Sequence, residues 1–327
     1  MLTLPVDDKF VIHLNYFFPA NNNNLFNEPA YFKLHSSSAK DCYFQLVRSK
    51  DNQVFGTLAF HEISTDVYVS PGRGTFGGIS LNGELEFLLV EKFLQVAVNQ
   101  LRLQGAQMIR IRCAPAGHNG AIFAIVFNAL MNRGFRPKEP EINYEMRIDG
   151  RSFIDRIEYG NVKRIRKSQR EGFVCEHVDT AKLPEVYALI SNNRTRLRVL
   201  VSMSLKELRQ MAELFPNLLH LFAVYRDASC QEMVAAAICL TITPRVLYVL
   251  YWGDAESMRS FSPVAMLASC IYDFGSKQGF KQLDAGISTL HGEPNHGLIN
   301  FKRNLGFTES LKLEMVWLKG SGMEAAA

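Results

Sequence analysis

Hydrophobic and polar positions follow two rhythms along this chain, and one succession of those rhythms occurs twice. From residue 43 the pattern predicts strand "YFQLVRS", turn "KDNQ", strand "VFGTLAFHEI" and the segment "DVYVSPGRGTFGGI". A long helix follows, "GELEFLLVEKFLQVAVNQLRLQG", with apolar residues at three- and four-residue intervals. Strand "AQMIRIRCA", helix "GAIFAIVFNALMNRG" and strand "INYEMRI" complete the first series. From residue 221 the order recurs: strands "LFAVYRD", "MVAAAICLTI" and "RVLYVLYWGD", then helix "PVAMLASCIYDFGSKQG". Strand "FKQLDAG", helix "GLINFKRNLG" and strand "LKLEMVWL" close it. The run "MVAAAICLTI" is apolar or small almost throughout.

The punctuation repeats too. Gly105 and Gly279 end the long helix of each half, and Gly134 and Gly306 end the short one. Helix C-caps favour a left-handed residue, which glycine supplies. Glu145-Met146 and Glu314-Met315 then fall in the last strand of each half. Strands followed by a helix–strand–helix–strand close predict a mixed sheet with helices on its faces. The expected class is therefore α+β or α/β, with domains at 1–150 and 151–320 and a disordered tail at 321–327. Between the two series, "NVKRIRKSQREG" predicts a basic helix ending at Gly172, and two further helices follow. The second opens on Ser204 with Glu207 three residues on, a capping-box pattern. For the first 40 residues only a loop at "NNNN", 21–24, is predicted.

Composition agrees with two globular domains: 327 residues, 47% hydrophobic and 21% charged. A net charge of +4 permits an anionic ligand without demanding a nucleic acid. Residues 151–170 hold seven Lys or Arg against two acids, which a solvated helix face explains as well as an RNA surface does. The six cysteines show no metal-ligand spacing and are expected as free thiols in a reducing compartment. The first residues lack a basic segment before an apolar block, so no signal peptide is expected. The longest apolar runs are about half of the ~20 residues a membrane span needs, so the expected location is cytoplasmic. Oligomeric state leaves no mark in the pattern.

Candidate chemistry concentrates in the second half. Gly72, Gly74 and Gly77 satisfy G-x-G-x-x-G, but two strands and a hairpin precede them, which disfavours a dinucleotide site. A tight turn, or a turn whose N–H groups line an anion pocket, fits better. At the matching place in the second half, Arg259, Ser260, Ser262, Val264 and Ala265 lead into a helix with Pro263 at its first position. Ser262 is the expected cap, and the helix start is a candidate phosphate site. Asp284 and Gly286 lie at a strand's C-terminal end, where ligands of α/β sheets gather. His291 and His296 are not at a metal pair's helical spacing, and no metal is expected. Either of them, or Glu293, is a candidate general base for an amine. Tyr251, Trp252, Arg194 and Arg196 are candidates for acceptor binding, although the arginines would as readily pair with the protein's own acids. Lys302 and Arg303 on their own suggest a solvated charge pair.

The block "SPVAML…QGFKQLDAGIS…GLINFKRNLGF", with the alanine-rich strand at 234–242 and the aromatic strand at 246–252, resembles the C-terminal domain of GNAT-superfamily proteins related to the Fem-type aminoacyl transferases of peptidoglycan synthesis. "KRIRKSQREGFVCE" and "SPGRGTFGGI" are similar to that family's domain-opening segments. The resemblance implies two tandem GNAT-like domains and an N-acyltransferase acting on an amine, in a cell-envelope precursor or peptide. It implies an acyl donor held where "RVLYVLYWG" and "KQLDAG" splay apart, with phosphates at Arg259–Ala265 and Lys302 facing the donor carbonyl. The usual acyl-CoA loop, Q/R-x-x-G-x-G/A, is not met, because Ser262 and Val264 follow Arg259 where glycines are expected. The donor thus stays open between acetyl- or another acyl-CoA and aminoacyl-tRNA, with CoA favoured by the mild charge. A catalytically silent ligand-binding module is the alternative.

Overall fold

The computed structural model describes residues 2–20, 24–83 and 85–320. The asparagine loop at 21–23 and the predicted tail at 321–327 lie outside the described residues. The chain forms two compact units. One comprises the chain up to Ile142, His291–Glu293 and the chain from Ser310 on; the other comprises Asn143–Leu290 and Pro294–Glu309.

In the first unit the strands are β1 (Leu2–Pro5), β2 (Phe10–Leu14), β3 (Cys42–Arg48), β4 (Gln53–Ser64), β5 (Val67–Ser70), β6 (Ile79–Leu81) and β7 (Met108–Arg112). Its helices are α1 (Pro29–His35), α2 (Phe87–Leu103) and α3 (Gly120–Asn132). Strands β1 to β5 form an antiparallel ladder, and β6 pairs with β4. Strand β5 then lies parallel to β7. The α2 face that carries Val90, Phe93, Leu94, Ala97 and Leu101 is buried against this sheet, as its three-and-four spacing requires. The chain passes to the second unit within β8 (Arg136–Arg147).

The second unit contains α4 (Tyr159–Arg170), β9 (Val174–Val178), α5 (Leu183–Arg196), α6 (Leu205–Leu214), β10 (Leu219–Tyr225), β11 (Met233–Thr243), β12 (Val246–Asp254), α7 (Pro263–Lys277) and β13 (Gln282–Ile287). After β13 come the short strands β14 (Thr289–Leu290) and β15 (Glu293–Pro294), then α8 (His296–Asn304) and β16 (Thr308–Leu318). Strands β9 to β12 are antiparallel; β12 is parallel to β13, which pairs antiparallel with the second half of β8. From Ser310 on, β16 belongs to the first unit, where Glu314 to Leu318 pair with β7. Nearly all of β11 is buried, which explains its apolar run.

The two series share one topology. The first has antiparallel β3, β4 and β5 with β7 parallel to β5; the second has antiparallel β10, β11 and β12 with β13 parallel to β12. The four punctuating glycines all have left-handed φ, and Ser204 and Glu207 form the reciprocal capping box. This is the mixed, mainly antiparallel sheet with helices that the repeated pattern predicts. Elements at the N-terminus (β1, β2, α1) carried no legible signal, because each is shorter than the windows over which periodicity is read. No helix among the described residues is long and apolar enough to cross a membrane.

Candidate functional site

Strands β12 and β13 stay together for only three register pairs, Val246–Gln282, Leu247–Leu283 and Tyr248–Asp284. Past Asp284 the chain turns out of line. Gly286 has φ +73°, and the β13–β8 register shifts between Asp284 and Ile287. A left-handed glycine with a shifted register is the signature of a bulge, which bends a strand and frees its side-chain positions. The Tyr248 ring lies beside Gly286: a Cβ there would sit 3.6 Å from the ring edge and hydroxyl.

A buried polar cluster occupies this parting. Asp284 is fully buried, and its Oδ1 accepts from the Gly286 N–H at 2.7 Å and from Asn143 Nδ2 at 3.1 Å. The Asn143 amide also donates to Glu145 Oε2 at 3.2 Å. Lys302, on α8, is 1% exposed. Its Nζ donates to Gly286 O and to Ile287 O, each at 2.8 Å, and stands 5.4 Å from the Tyr144 ring centroid. Gly286 is thus bonded through its N–H to a carboxylate and through its carbonyl to an ammonium. A charge held out of water needs a counter-charge and hydrogen bonds. Asp284 and Glu145 are the buried carboxylates of this cluster. Arg303, the next residue, stays exposed and pairs with Glu309. The solvated pair suggested by "KR" alone is therefore split: one cation turns inward and the other outward.

The other expected residues do not converge there. Ser262 does not cap α7: it has φ +51° and makes no side-chain cap bond. It joins the 3-10 turn at Glu256–Phe261 to a helix that begins with proline, and the helical region is disfavoured for a residue before proline. Pro263 has no N–H, and the Ala265 N–H returns to Ser262 O at 2.9 Å. Of the first N–H groups of the helix, Pro263 thus lacks one and that of Ala265 is turned back on the chain. Val264 is half-buried and Ala265 fully buried, while Arg259 and Ser260 are exposed. The Arg259 Nε lies 3.6 Å from Asp254.

His291 is exposed, within the first unit, with Nδ1 3.0 Å from Glu139 Oε2. Glu293 is also exposed, and His296 is the exposed first residue of α8. Six helical residues separate His296 from Lys302, about 9 Å along the axis and on different faces. The Tyr251 hydroxyl lies 2.5 Å from Ser202 Oγ and accepts from Met203 N at 3.0 Å. Arg194 stacks on the Tyr251 ring and donates to Leu200 O. Arg196 pairs with Asp254 and Glu256. Both arginines are committed within the protein, which weakens them as acceptor-binding groups. Trp252 is half-buried against Phe301 and Phe307.

Asn143 and Glu145 were not singled out as site residues by sequence reasoning. Glu145 showed only as a repeat marker, and nothing in the linear pattern joins β8 to β13.

The corresponding place in the first unit is closed. Beyond the last β5–β7 pair, the chain returns to β7 through a Gly77–Cys113 bridge, with Gly77 N–H on Arg112 O at 2.9 Å. Arg112 Nη1 donates to Pro71 O and Gly74 O, each at 3.2 Å. The Gly72 N–H bonds to His61 Nδ1. The N–H groups of Gly72 and Gly77 are thus used inside the turn rather than lining an anion pocket.

The fold is similar to that of FemX. A solved structure of FemX superposes with a TM-score of 0.70 at 14% identity, covering 94% of this chain and 97% of that one. L-PGS from Bacillus licheniformis gives a TM-score of 0.57 at 12% identity, covering 91% and 88%. The C-terminal domain of a protein assigned as a lysylphosphatidylglycerol synthetase from Agrobacterium fabrum gives 0.53 at 13%, covering 80% of each chain. No protein-family model matches the sequence. No curated protein matches it either.

Proposed function

We propose that this chain is an N-acyltransferase whose second unit holds the acyl donor at the parting of β12 and β13. The observation that carries this reading is the buried Lys302 ammonium beside Gly286, at the C-terminal end of a strand whose pairing has just ended. The FemX-like fold supports a transferase of acyl or aminoacyl groups. In this reaction an acceptor amine gives up a proton to a base and attacks the donor carbonyl. The carbonyl oxygen gains negative charge, and the carbon–sulfur bond of a CoA thioester, or the carbon–oxygen bond of an aminoacyl-tRNA ester, then breaks. A fixed cation or N–H donor near that oxygen is worth about 3 kcal/mol of barrier lowering. Lys302 is the group proposed for this role. The amine is proposed to give up its proton through water, because His296 lies on another face of α8 and His291 and Glu293 belong to the first unit, and the acceptor is proposed as an amine of a small molecule, peptide or envelope precursor.

A second reading, a ligand-holding fold without catalysis, is favoured by the two main-chain carbonyls that Lys302 holds, a structural task in itself. Titration calorimetry with acetyl-CoA, on the wild type and on a folded Lys302→Met variant, separates the readings. Micromolar binding that the variant weakens supports a CoA-dependent transferase. No binding at millimolar acetyl-CoA removes that donor and moves the assay to charged tRNA. If wild type binds neither, the transferase reading fails.

A further inference from the structure

Away from the β12–β13 parting, the second unit has an open cleft of about 400 Å³. Cys175 from β9 and Cys270 from α7 both line it, together with His177, Asp273 and Lys277. Among the described residues, strand β9 is an edge of the sheet and pairs only with β10. None of the six cysteines is bridged, and Cys175 and Cys270 enter the cleft from two elements that pack on each other, β9 and α7. They are the two cysteines found in this cleft, and both are partly accessible.

Their surroundings divide the labour. The neighbouring Cys175 thiol pulls the Cys270 thiol below its ordinary value against burial and the Asp273 carboxylate, and Lys277 offsets part of that opposition. The Cys270 thiol, together with burial, pushes Cys175 up. Burial pushes Cys42 to about 11 and Cys113 to about 12, and it raises Cys239 strongly and Cys230. The thiolate is the nucleophile in thiol chemistry, so reactivity should centre on Cys270.

We infer that Cys175 and Cys270 form a peroxide-sensitive dithiol site, in which hydrogen peroxide entering the cleft converts the two thiols that line it to a disulfide. The Cys270 thiolate attacks one peroxide oxygen, the O–O bond breaks, and the hydroxide that leaves takes a proton. Cys270 becomes a sulfenic acid. The Cys175 sulfur then attacks the Cys270 sulfur, the S–O bond breaks, and the departing oxygen leaves as water with the Cys175 proton. Two thiols and one peroxide give one disulfide and two waters. The bond would fasten edge strand β9 to α7. This inference does not depend on the transferase reading.

The test is peroxide treatment of the intact protein, followed by mass spectrometry and a non-reducing digest. The expected result is the loss of two hydrogens, a linked pair of peptides carrying Cys175 and Cys270, and full reversal by a phosphine reductant. Cys175→Ser should stop at an oxygen adduct on Cys270 that dimedone traps, and Cys270→Ser should give neither product. The idea is overturned if wild type keeps six alkylatable thiols or gains oxygen without cross-linking. It is equally overturned if the link joins Cys270 to Cys239 or Cys230.

Discussion

Replacing Lys302 by methionine keeps most of the stem volume and removes the ammonium. Gly286 O and Ile287 O each lose a 2.8 Å charge-assisted bond, and the buried Asp284 and Glu145 lose a cation from their cluster. A buried carbonyl left without a donor costs about 1–3 kcal/mol. Breaking a buried ion pair from one side costs about 3–5 kcal/mol. These contributions overlap because one cation supplies them all, so the expected loss is about 3–5 kcal/mol rather than their sum. The chain has two tryptophans, Trp252 in the second unit and Trp317 in the first. In a Trp317→Phe background, Trp252 reports on the second unit alone, and its ring packs 5.9 Å from Phe301 on the same helix as Lys302. Urea unfolding followed by its fluorescence should show a midpoint lower by roughly 1–5 M, given a slope of about 1–3 kcal/mol/M. Adding Asp284→Asn should recover part of the loss, with a coupling of about 1–3 kcal/mol, if that carboxylate is the partner. A single-variant loss below about 1 kcal/mol would refute the reasoning, since Lys302 would then be solvated.

Further expectations concern the same unit. Gly306→Ala should lower stability by more than about 2 kcal/mol: its φ is +79°, and a Cβ would meet the Arg156 carbonyl oxygen at 2.6 Å. Gly279→Ala, at φ +82° with nothing within 4 Å, should lose only about 1 kcal/mol, and thermal melts of the two variants test the difference. Burial depresses His220 to about 4, with its Nε2 2.9 Å from Thr241 Oγ1. Because the folded value lies below the unfolded one near 6.5, the stability from the neutral ring is present above pH 6.5 and lost as pH falls toward 4. After allowance for partial exposure the loss is roughly 1–2 kcal/mol. His220→Gln should flatten melting temperature against pH across that window, and an unchanged slope would assign the acid sensitivity elsewhere.

The linear pattern by itself determined the main elements of the two repeated series and their order. Periods near two and near 3.6 are local consequences of which side chains face water, so β11, α2 and α7 were legible within a residue or two at most ends. The repeat was legible for the same reason, because the glycines that end its helices sit where the backbone is left-handed. Tertiary structure alone decided what stands against what. Lys302 and Arg303 are neighbours of one chemical kind, and nothing local separates them. Only the docking of α8 puts Nζ beside Gly286 and leaves the guanidinium with Glu309. The contribution of β8 to the polar cluster was equally hidden, because a strand's partner is chosen by burial of its faces across more than a hundred residues. Ser262 shows the reverse case: a good capping residue by type is prevented from capping by the proline that follows it and the turn that precedes it. Local chemistry sets what each segment can be, and long-range burial of charge and apolar surface selects what each side chain then meets.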